Sequence, residues 1–250
     1  VANMIPDLRY LELLIIIGAF VFGGLCKGIS GVGVPIIAVP VIAAVTDITL
    51  AIVLIAIPSV VPNIYQVWKY RDSWNRQFPL APLSILSVFG SGLGIFVLLN
   101  VESKFLARIL GCIVTIYIIS GRLNPFYLGD SNTKLLAAPV GFLSGLAGGT
   151  TGVSAPVILM YLTALKLSRE TFIFSVSVYF IAMGSGQFVW LSVSHLMTWE
   201  FVFLGILSLA PIAFGMWLGD HIGKRIPEDK FNTFLHLFLL TLGVKLMVFS

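Results

Sequence analysis

Glycine, hydroxyl and proline residues recur in two short stretches, and this combination is suited to holding an anion. The first stretch reads GLCKGISGVGVP (residues 24–35) and the second reads GLAGGTTGVSAP (residues 145–156). A proline at the end of each stretch predicts the first turn of a helix, where its missing N–H group costs nothing. Unpaired N–H groups at a helix start, together with the helix dipole, attract anions. The two stretches therefore predict a small-anion site on flexible backbone just before each helix.

The candidate ligands are backbone N–H groups, hydroxyls, one lysine and three amides. The hydroxyls could donate to an oxyanion or bond back to a carbonyl one helical turn earlier. Lys27 lies within an apolar segment, where a charge by default indicates function, although a lysine can also extend to the membrane surface. The amides could line a substrate path or join helices. The predicted substrate-binding residues are Lys27, Gly28, Ser30, Gly31, Gly33, Pro35, Asn63, Gln66, Gly149, Thr150, Thr151, Gly152, Ser154, Pro156 and Gln187.

The composition places these residues in a membrane protein. Of the 250 residues, 58% are hydrophobic and 10% are charged, and the mean hydropathy is +1.02. An ordinary soluble domain is about 45–50% apolar and about 25% charged. The apolar segments suit all-α, polytopic insertion in a lipid bilayer, because a spanning helix needs roughly 20 apolar residues. The net charge of +4 is modest and indicates membrane orientation rather than nucleic-acid binding.

The two stretches belong to an internal duplication. A shift of 121 residues places Gly24 over Gly145 and aligns Gln66 with Gln187. Seven of the fourteen positions of segments 24–37 and 145–158 then match: Gly24/Gly145, Leu25/Leu146, Gly28/Gly149, Gly31/Gly152, Val32/Val153, Pro35/Pro156 and Ile37/Ile158. We therefore divide the chain into a first membrane repeat, 1–125, and a second, 126–250, which together form one transport domain.

Charge predicts that the two repeats are inverted relative to each other. Short cytoplasmic loops are enriched in Lys and Arg, and in each pair of corresponding loops one member is more basic. The basic members are 68–78, 166–170 and 220–230, and their respective partners are 192–199, 46–49 and 99–104. The basic loops are therefore expected inside, with both termini outside.

Each repeat is expected to contain a broken, re-entrant-like hairpin followed by three transmembrane helices. The apolar segments 34–46, 134–147 and 155–166 are too short to span easily at about 1.5 Å per residue. Interrupted segments of this kind in corresponding places are typical of a transporter site. Pro58 and Pro62 predict a kink in the long segment 49–67 that the second half does not mirror.

The sequence gives little support for metal, cofactor or catalytic chemistry. All acidic residues lie in or near loops or segment ends, and the three histidines are scattered. No metal site, cofactor site or catalytic group is predicted, so an enzyme is not expected. Cys26 lies beside Lys27 and is either inert packing or a thiol that meets a sulfur-containing substrate.

The paired stretches resemble the sulfite exporter TauE/SafE family of bacterial membrane permeases. The matching features are GLCKGISGVGVP and GFLSGLAGGTTGVSAP, each near the start of one half, and the resemblance covers essentially the whole chain. It implies multi-pass insertion in the bacterial inner membrane and export or exchange of sulfite, sulfoacetate or other organosulfonates. The glycine-rich segments 28–35 and 149–156 would then form the central site. Lys27 is not mirrored in the second half, so the halves cannot bind an anion identically.

The sequence as a whole predicts a secondary transporter that exports a small sulfur-containing oxyanion by alternating access. A passive anion channel, a transporter of thiosulfate or another sulfur compound that uses Cys26, and a non-transporting membrane scaffold remain as alternatives. The sequence leaves open whether the chain forms a homo-oligomer.

Overall fold

The computed structural model describes residues 10–31, 33–74, 78–120, 130–223 and 228–249. In this part of the chain the secondary structure is entirely helical, which confirms the predicted all-α class. The first half contains α1 (Tyr10–Ser30), α2 (Val34–Val45), α3 (Ile48–Ile55), α4 (Val61–Lys69), a 3-10 turn (Arg71–Ser73), α5 (Leu80–Asn100) and α6 (Ser103–Ser120). The second half contains α7 (Asp130–Thr151), α8 (Ala155–Thr163), α9 (Arg169–Val193), α10 (Trp199–Leu207), α11 (Leu209–Ile222) and α12 (Glu228–Phe249). The predicted boundary between the halves, 125/126, lies outside the described residues.

Four stretches of helix are long and apolar enough to cross a membrane among the described residues. They are α1, α5, α9 and the consecutive pair α10–α11, which together cover Trp199–Ile222. Large apolar side chains stay exposed on the outside of the bundle, for example Phe89, Phe96, Ile116, Phe203 and Phe214. An apolar exterior of this kind suits lipid as the surrounding solvent.

The short helices α2 and α8 begin where the sequence predicts. Each has its proline, Pro35 or Pro156, within the first two helical positions. With 12 and 9 residues they are too short to span a bilayer at about 1.5 Å per residue. The expectation that segment 134–147 is also short is wrong, because α7 has 22 residues and continues through the glycines and threonines to Thr151.

The glycine-rich stretches are helical for most of their length, and they leave the helix just before α2 and α8, where the sequence predicts irregular backbone. Among the described residues of these stretches, the non-helical ones are Gly31, Gly33 and Gly152–Ser154. Gly31 and Gly152 have φ values of +82° and +75°, the left-handed conformation that glycine adopts just past the end of a helix. Each N–H group is already paired, with the carbonyl of Lys27 or Gly148 at 2.8 Å.

Close helix packing explains why glycines precede these breaks. The helix α1 packs along α11, and α7 packs along α5. A methyl group on Gly24 would overlap the carbonyl oxygen of Ile212, and one on Gly145 would overlap that of Ser87. Small residues let membrane helices approach this closely. Both of these contacts join an element of one half to an element of the other.

The predicted kink in segment 49–67 is confirmed as a complete break between α3 and α4. Residues 56–60 form turns, and α4 restarts at Val61 with Pro62 in its first turn. The corresponding helix of the second half, α9, is continuous over 25 residues. This break has a consequence for the site, because it frees backbone carbonyl groups that side chains of α4 then use.

Candidate functional site

A cavity of about 380 Å³ lies between α1 and α4 of the first half and α9 and α11 of the second. Its charged and amide lining residues are Lys27, Gln66, Lys69, Arg169 and Asp220. Three of these five side chains are cationic and one is anionic, so the lining carries a positive surplus. Such a lining favours anionic ligands.

Lys27 is the central group of this cavity. Its side chain is only 3% exposed, and its Nζ donates to Asn63 Oδ1 at 2.8 Å, to Gln66 Oε1 at 2.8 Å and to the Gly31 carbonyl at 3.3 Å. Three acceptors match the three N–H bonds of a protonated ammonium group. Two amide groups and one carbonyl are therefore the ligands of the Lys27 amine, and all three are neutral.

The two amides are themselves held in place by the broken helix and by α9. Asn63 Nδ2 donates to the Ser59 carbonyl at 2.6 Å. That carbonyl is available because the Asn63 N–H bonds to Val60 instead. Gln66 Oε1 also accepts a hydrogen bond from Ser177 Oγ at 3.0 Å. The α3–α4 break and a serine of the other half thus orient both acceptors toward the lysine.

Charged side chains at helix ends surround the mouth of the cavity. Lys69, the last residue of α4, forms an ion pair of 3.7 Å with Asp220 near the end of α11. Arg169, the first residue of α9, donates to the Ile29 carbonyl at 3.2 Å near the end of α1. Both contacts join the two halves of the chain. These helix ends border the loops 68–78, 166–170 and 220–230, the three basic loops that are predicted to lie inside.

The remaining wall is aromatic and aliphatic. Tyr65, Tyr70 and Trp217 supply rings, while Ile212 and Met216 supply aliphatic surface. Largely apolar walls with a few converging polar groups are typical of small-molecule sites. The cavity can therefore receive an anion with or without a small organic body.

The second glycine-rich stretch packs away from this cavity. Gln187 Nε2 donates to the Gly148 carbonyl at 3.1 Å, so the amide that corresponds to Gln66 contacts the residue that corresponds to Lys27. Tyr179, beside this stretch, donates to Ser144 Oγ at 2.7 Å. These polar groups form a second buried cluster that carries no charge.

Three of the predicted hydroxyl ligands bond back to their own helix. Ser30, Thr150 and Thr151 donate to the carbonyl four residues earlier, at 2.8, 2.7 and 2.7 Å. This is the local bonding that serine and threonine adopt inside membrane helices. An anion would have to compete with these bonds for the hydroxyl groups.

The cavity thus brings together only part of the predicted set. Lys27, Gly28, Gly31 and Gln66 line it, and Asn63 contacts the lysine. Away from it, Gly33 and Pro35 lie at the start of α2, while the second-half residues Gly149, Thr150, Thr151, Gly152, Ser154, Pro156 and Gln187 lie around the α7–α8 break. Cys26 is fully buried and is absent from the described lining. The described chain holds no group of three His, Cys, Asp or Glu residues that could bind a metal.

Several residues that line or support the cavity escaped prediction from the sequence. Tyr65, Trp217 and Asp220 lie in the chain without any motif that singles them out, and Ser177 resembles any other helix serine. Spacing was one usable signal for two of the lining residues. Tyr65 adjoins Gln66, and Lys69 follows Gln66 one helical turn later on the same face. The other contacts arise only when the two halves pack together.

The apolar helical bundle is that of a multi-pass membrane protein, and it contains a cavity with a cationic lining. The family model described as Sulfite exporter TauE/SafE matches residues 15–246. The chain therefore belongs to the TauE/SafE sulfite exporter family, whose members are membrane transporters of sulfur compounds and not enzymes. No curated protein and no solved structure matches the chain.

Proposed function

We propose that this protein exports a small sulfur-containing oxyanion, such as sulfite, sulfoacetate or another organosulfonate, across the bacterial inner membrane. The observation that carries the proposal is the buried Lys27 ammonium at the cavity, held by neutral acceptors. A buried cation of this kind can gain a strong, charge-assisted interaction from an entering anion. The Gly31 carbonyl is its longest contact, at 3.3 Å, and is the one that the anion displaces.

Alternating access is the proposed mechanism, with two inverted repeats that exchange conformations. Support comes from the two ends of the bundle. The cavity mouth lies at Lys69. Trp190, which corresponds to Lys69 under the shift of 121 residues, donates to the Val88 carbonyl at 3.0 Å and rests against Gly92. That contact joins α9 to α5 near the end of α9 opposite to Arg169, and we infer that it closes that end of the transport path. The described conformation then corresponds to the inward-open state, and the uncharged cluster around Gln187 lines the path after the halves rearrange.

A thermal-shift screen of the purified protein tests the proposed binding site. Sulfite, sulfoacetate, taurine, thiosulfate and sulfate are each added to the wild-type chain. At a hundredfold excess over its Kd, a bound anion stabilises by about 2.7 kcal/mol, or roughly 5–10 °C for a chain of this size. We expect at least one sulfur oxyanion to give such a shift and Lys27→Met to lose it.

Lys245→Met is the matched control, because Lys245 lies outside the cavity and donates to the Ala44 carbonyl of α2. It should keep the full shift. The Lys27→Met chain must itself melt cooperatively for its result to count. A wild-type chain that no anion stabilises, or a folded Lys27→Met chain with an unchanged shift, would contradict the proposed site.

A further inference from the structure

Lys27 is a buried cation without a carboxylate partner among the described residues. Its three acceptors are two amide oxygens and one backbone carbonyl, all of them neutral. The acidic residue that shares its cavity is Asp220, which pairs with Lys69 at 3.7 Å. Dipoles therefore orient the Lys27 amine, and in its protonated form no described carboxylate compensates its charge.

We propose that this uncompensated charge makes the protein an obligatory anion exchanger. The inference rests on the proposed function, because it assumes that the cavity is the transport site. A loaded carrier, with an anion on Lys27, passes through the occluded state. An empty carrier does not, so one anion must return for each anion that leaves.

The physical reason is the changing hydration of the cavity. In the inward-open conformation, water in the cavity can solvate the lysine through its open mouth. When the halves rearrange, that water is expelled, and an ion buried without a partner carries a large desolvation penalty. A bound monovalent anion forms a net-neutral pair with the ammonium group and removes most of this penalty. The empty carrier has no such partner.

The other charges of the cavity do not need an anion in the same way. The side chains of Lys69 and Asp220 are 39% and 54% exposed and already pair with each other. Arg169 is exposed and donates to a backbone carbonyl at the mouth. Of the described cavity cations, only Lys27 is both buried and unpaired by a carboxylate.

The alternative is that an acidic residue of the protein itself neutralises Lys27 in the empty carrier. If Asp220 left Lys69 and moved to Lys27 in the empty carrier, the pair would be neutral and the empty carrier could return. The protein would then support net flux without exchange. Asp220→Asn separates the two cases, because it removes this counter-charge and leaves Lys27 in place.

Proteoliposomes give the decisive measurement. Uptake of radiolabelled sulfite, handled under nitrogen, is compared between vesicles loaded with unlabelled sulfite and vesicles loaded with the uncharged solute sucrose. Potassium and valinomycin hold the membrane potential at zero in both. We expect initial uptake at least about tenfold faster into sulfite-loaded vesicles, since tenfold requires a barrier difference of only about 1.4 kcal/mol. Asp220→Asn should keep this ratio.

Equal uptake into both kinds of vesicle would overturn the obligatory exchange. A wild-type chain with net uptake that Asp220→Asn abolishes would assign the counter-charge to Asp220 instead. Both results leave the proposed transport of sulfur oxyanions intact. Absence of uptake under either loading contradicts the proposed function for sulfite and the exchange inference with it.

The substitution Lys27→Gln tests the assignment to this residue. Glutamine keeps a hydrogen-bonding group but removes the charge, so the empty carrier loses its barrier to return. We expect the ratio of exchange to net uptake to fall toward one, while total uptake also falls because the anion is held less firmly. Lys27→Arg, which keeps the charge, should keep the ratio above about tenfold. A Lys27→Gln chain with the wild-type ratio would refute the role of this charge.

Discussion

At the scale of single residues, the site depends on the difference between a dipole and a charge. Asn63 and Gln66 accept hydrogen bonds from Lys27 at the same distance, 2.8 Å, and both are neutral. They satisfy the N–H groups of the lysine and leave its charge for the ligand. A carboxylate at either position would satisfy the same N–H groups and neutralise the charge as well.

We therefore predict that Gln66→Glu preserves the fold and blocks the site. The new carboxylate would still accept from Ser177 and would form an ion pair with Lys27. Hydrogen bonds to charged groups contribute about 1.5–3 kcal/mol, so anion affinity should fall by at least about tenfold. Titration of each anion by thermal shift or calorimetry measures this.

The comparison variant is Gln66→Leu, which removes an acceptor without adding a charge. It should destabilise the empty protein by about 1–3 kcal/mol, because one N–H group of a buried ammonium loses its partner. If Gln66→Glu bound anions as tightly as wild type, Lys27 could not be the anion ligand.

Sequence reasoning reached this site only in part, and the reason is local geometry. Lys27 stood out as a charge in an apolar segment, and Asn63 and Gln66 lie one helical turn apart on one face of α4. Ser177 is 111 residues from Gln66, and no local pattern predicts that contact. The hydroxyls of Ser30, Thr150 and Thr151 looked like ligands because a sequence does not show which carbonyl they already bond.

At the scale of the elements, the glycines do more for packing than for ligand binding. The helices of both cross-half pairs, α1–α11 and α5–α7, approach each other closely at glycine positions. A rearrangement between the halves would have to slide or tilt these surfaces. The helix ends at Gly31 and Gly152, where φ is positive, are where we expect such a rearrangement to bend the chain.

We predict that Gly24→Ala and Gly145→Ala each destabilise the protein by about 1–3 kcal/mol, the usual range for overpacking. In both variants the added methyl group would meet a backbone carbonyl oxygen of the neighbouring helix, at Ile212 or Ser87. A backbone atom of a packed helix cannot move aside as a flexible side chain can. Thermal melting of the purified proteins, monitored by the helical circular dichroism signal, measures the change.

Gly18→Ala is the matched control for this series. Gly18 lies in α1, and a methyl group there meets no atom within 4 Å. Alanine also favours a helix by up to about 1 kcal/mol over glycine. The control should melt at or above the wild-type temperature. Equal melting temperatures for all three variants would show that the glycines are not required for close packing.

The elements themselves were largely predictable because membrane helices follow apolar length and proline. The starts of α2 and α8 at Pro35 and Pro156 and the break near Pro58 follow from the missing N–H group of proline. The length of α7 could not be predicted in this way, because glycine and threonine weaken a helix in isolation. In the folded chain, packing against α5 offsets that weakness and carries the helix on to Thr151.

At the scale of the whole molecule, the two halves depend on each other. The first helix of each half packs on the other half, α1 on α11 and α7 on α5, and α6 packs with α12. The cavity is lined by two helices from each half. Neither half could close the site alone. The same arrangement lets one conformational exchange open the cavity on one side and close it on the other, provided that the halves have opposite orientations.

The last prediction is that the two halves have opposite orientations in the membrane. Residues that correspond under the shift of 121 residues test it. Ser73 and Ser194 occupy corresponding positions under the shift of 121 residues, in loops that charge places inside and outside, respectively. Single cysteines at these positions, in a chain without Cys26 and Cys112, are treated with a membrane-impermeant maleimide on intact cells. Ser194→Cys should be labelled at once, and Ser73→Cys only after permeabilisation, because inverted repeats put equivalent loops on opposite sides. Labelling of both cysteines before permeabilisation, or of neither, would place the two loops on one side and refute the inversion on which alternating access between these halves depends.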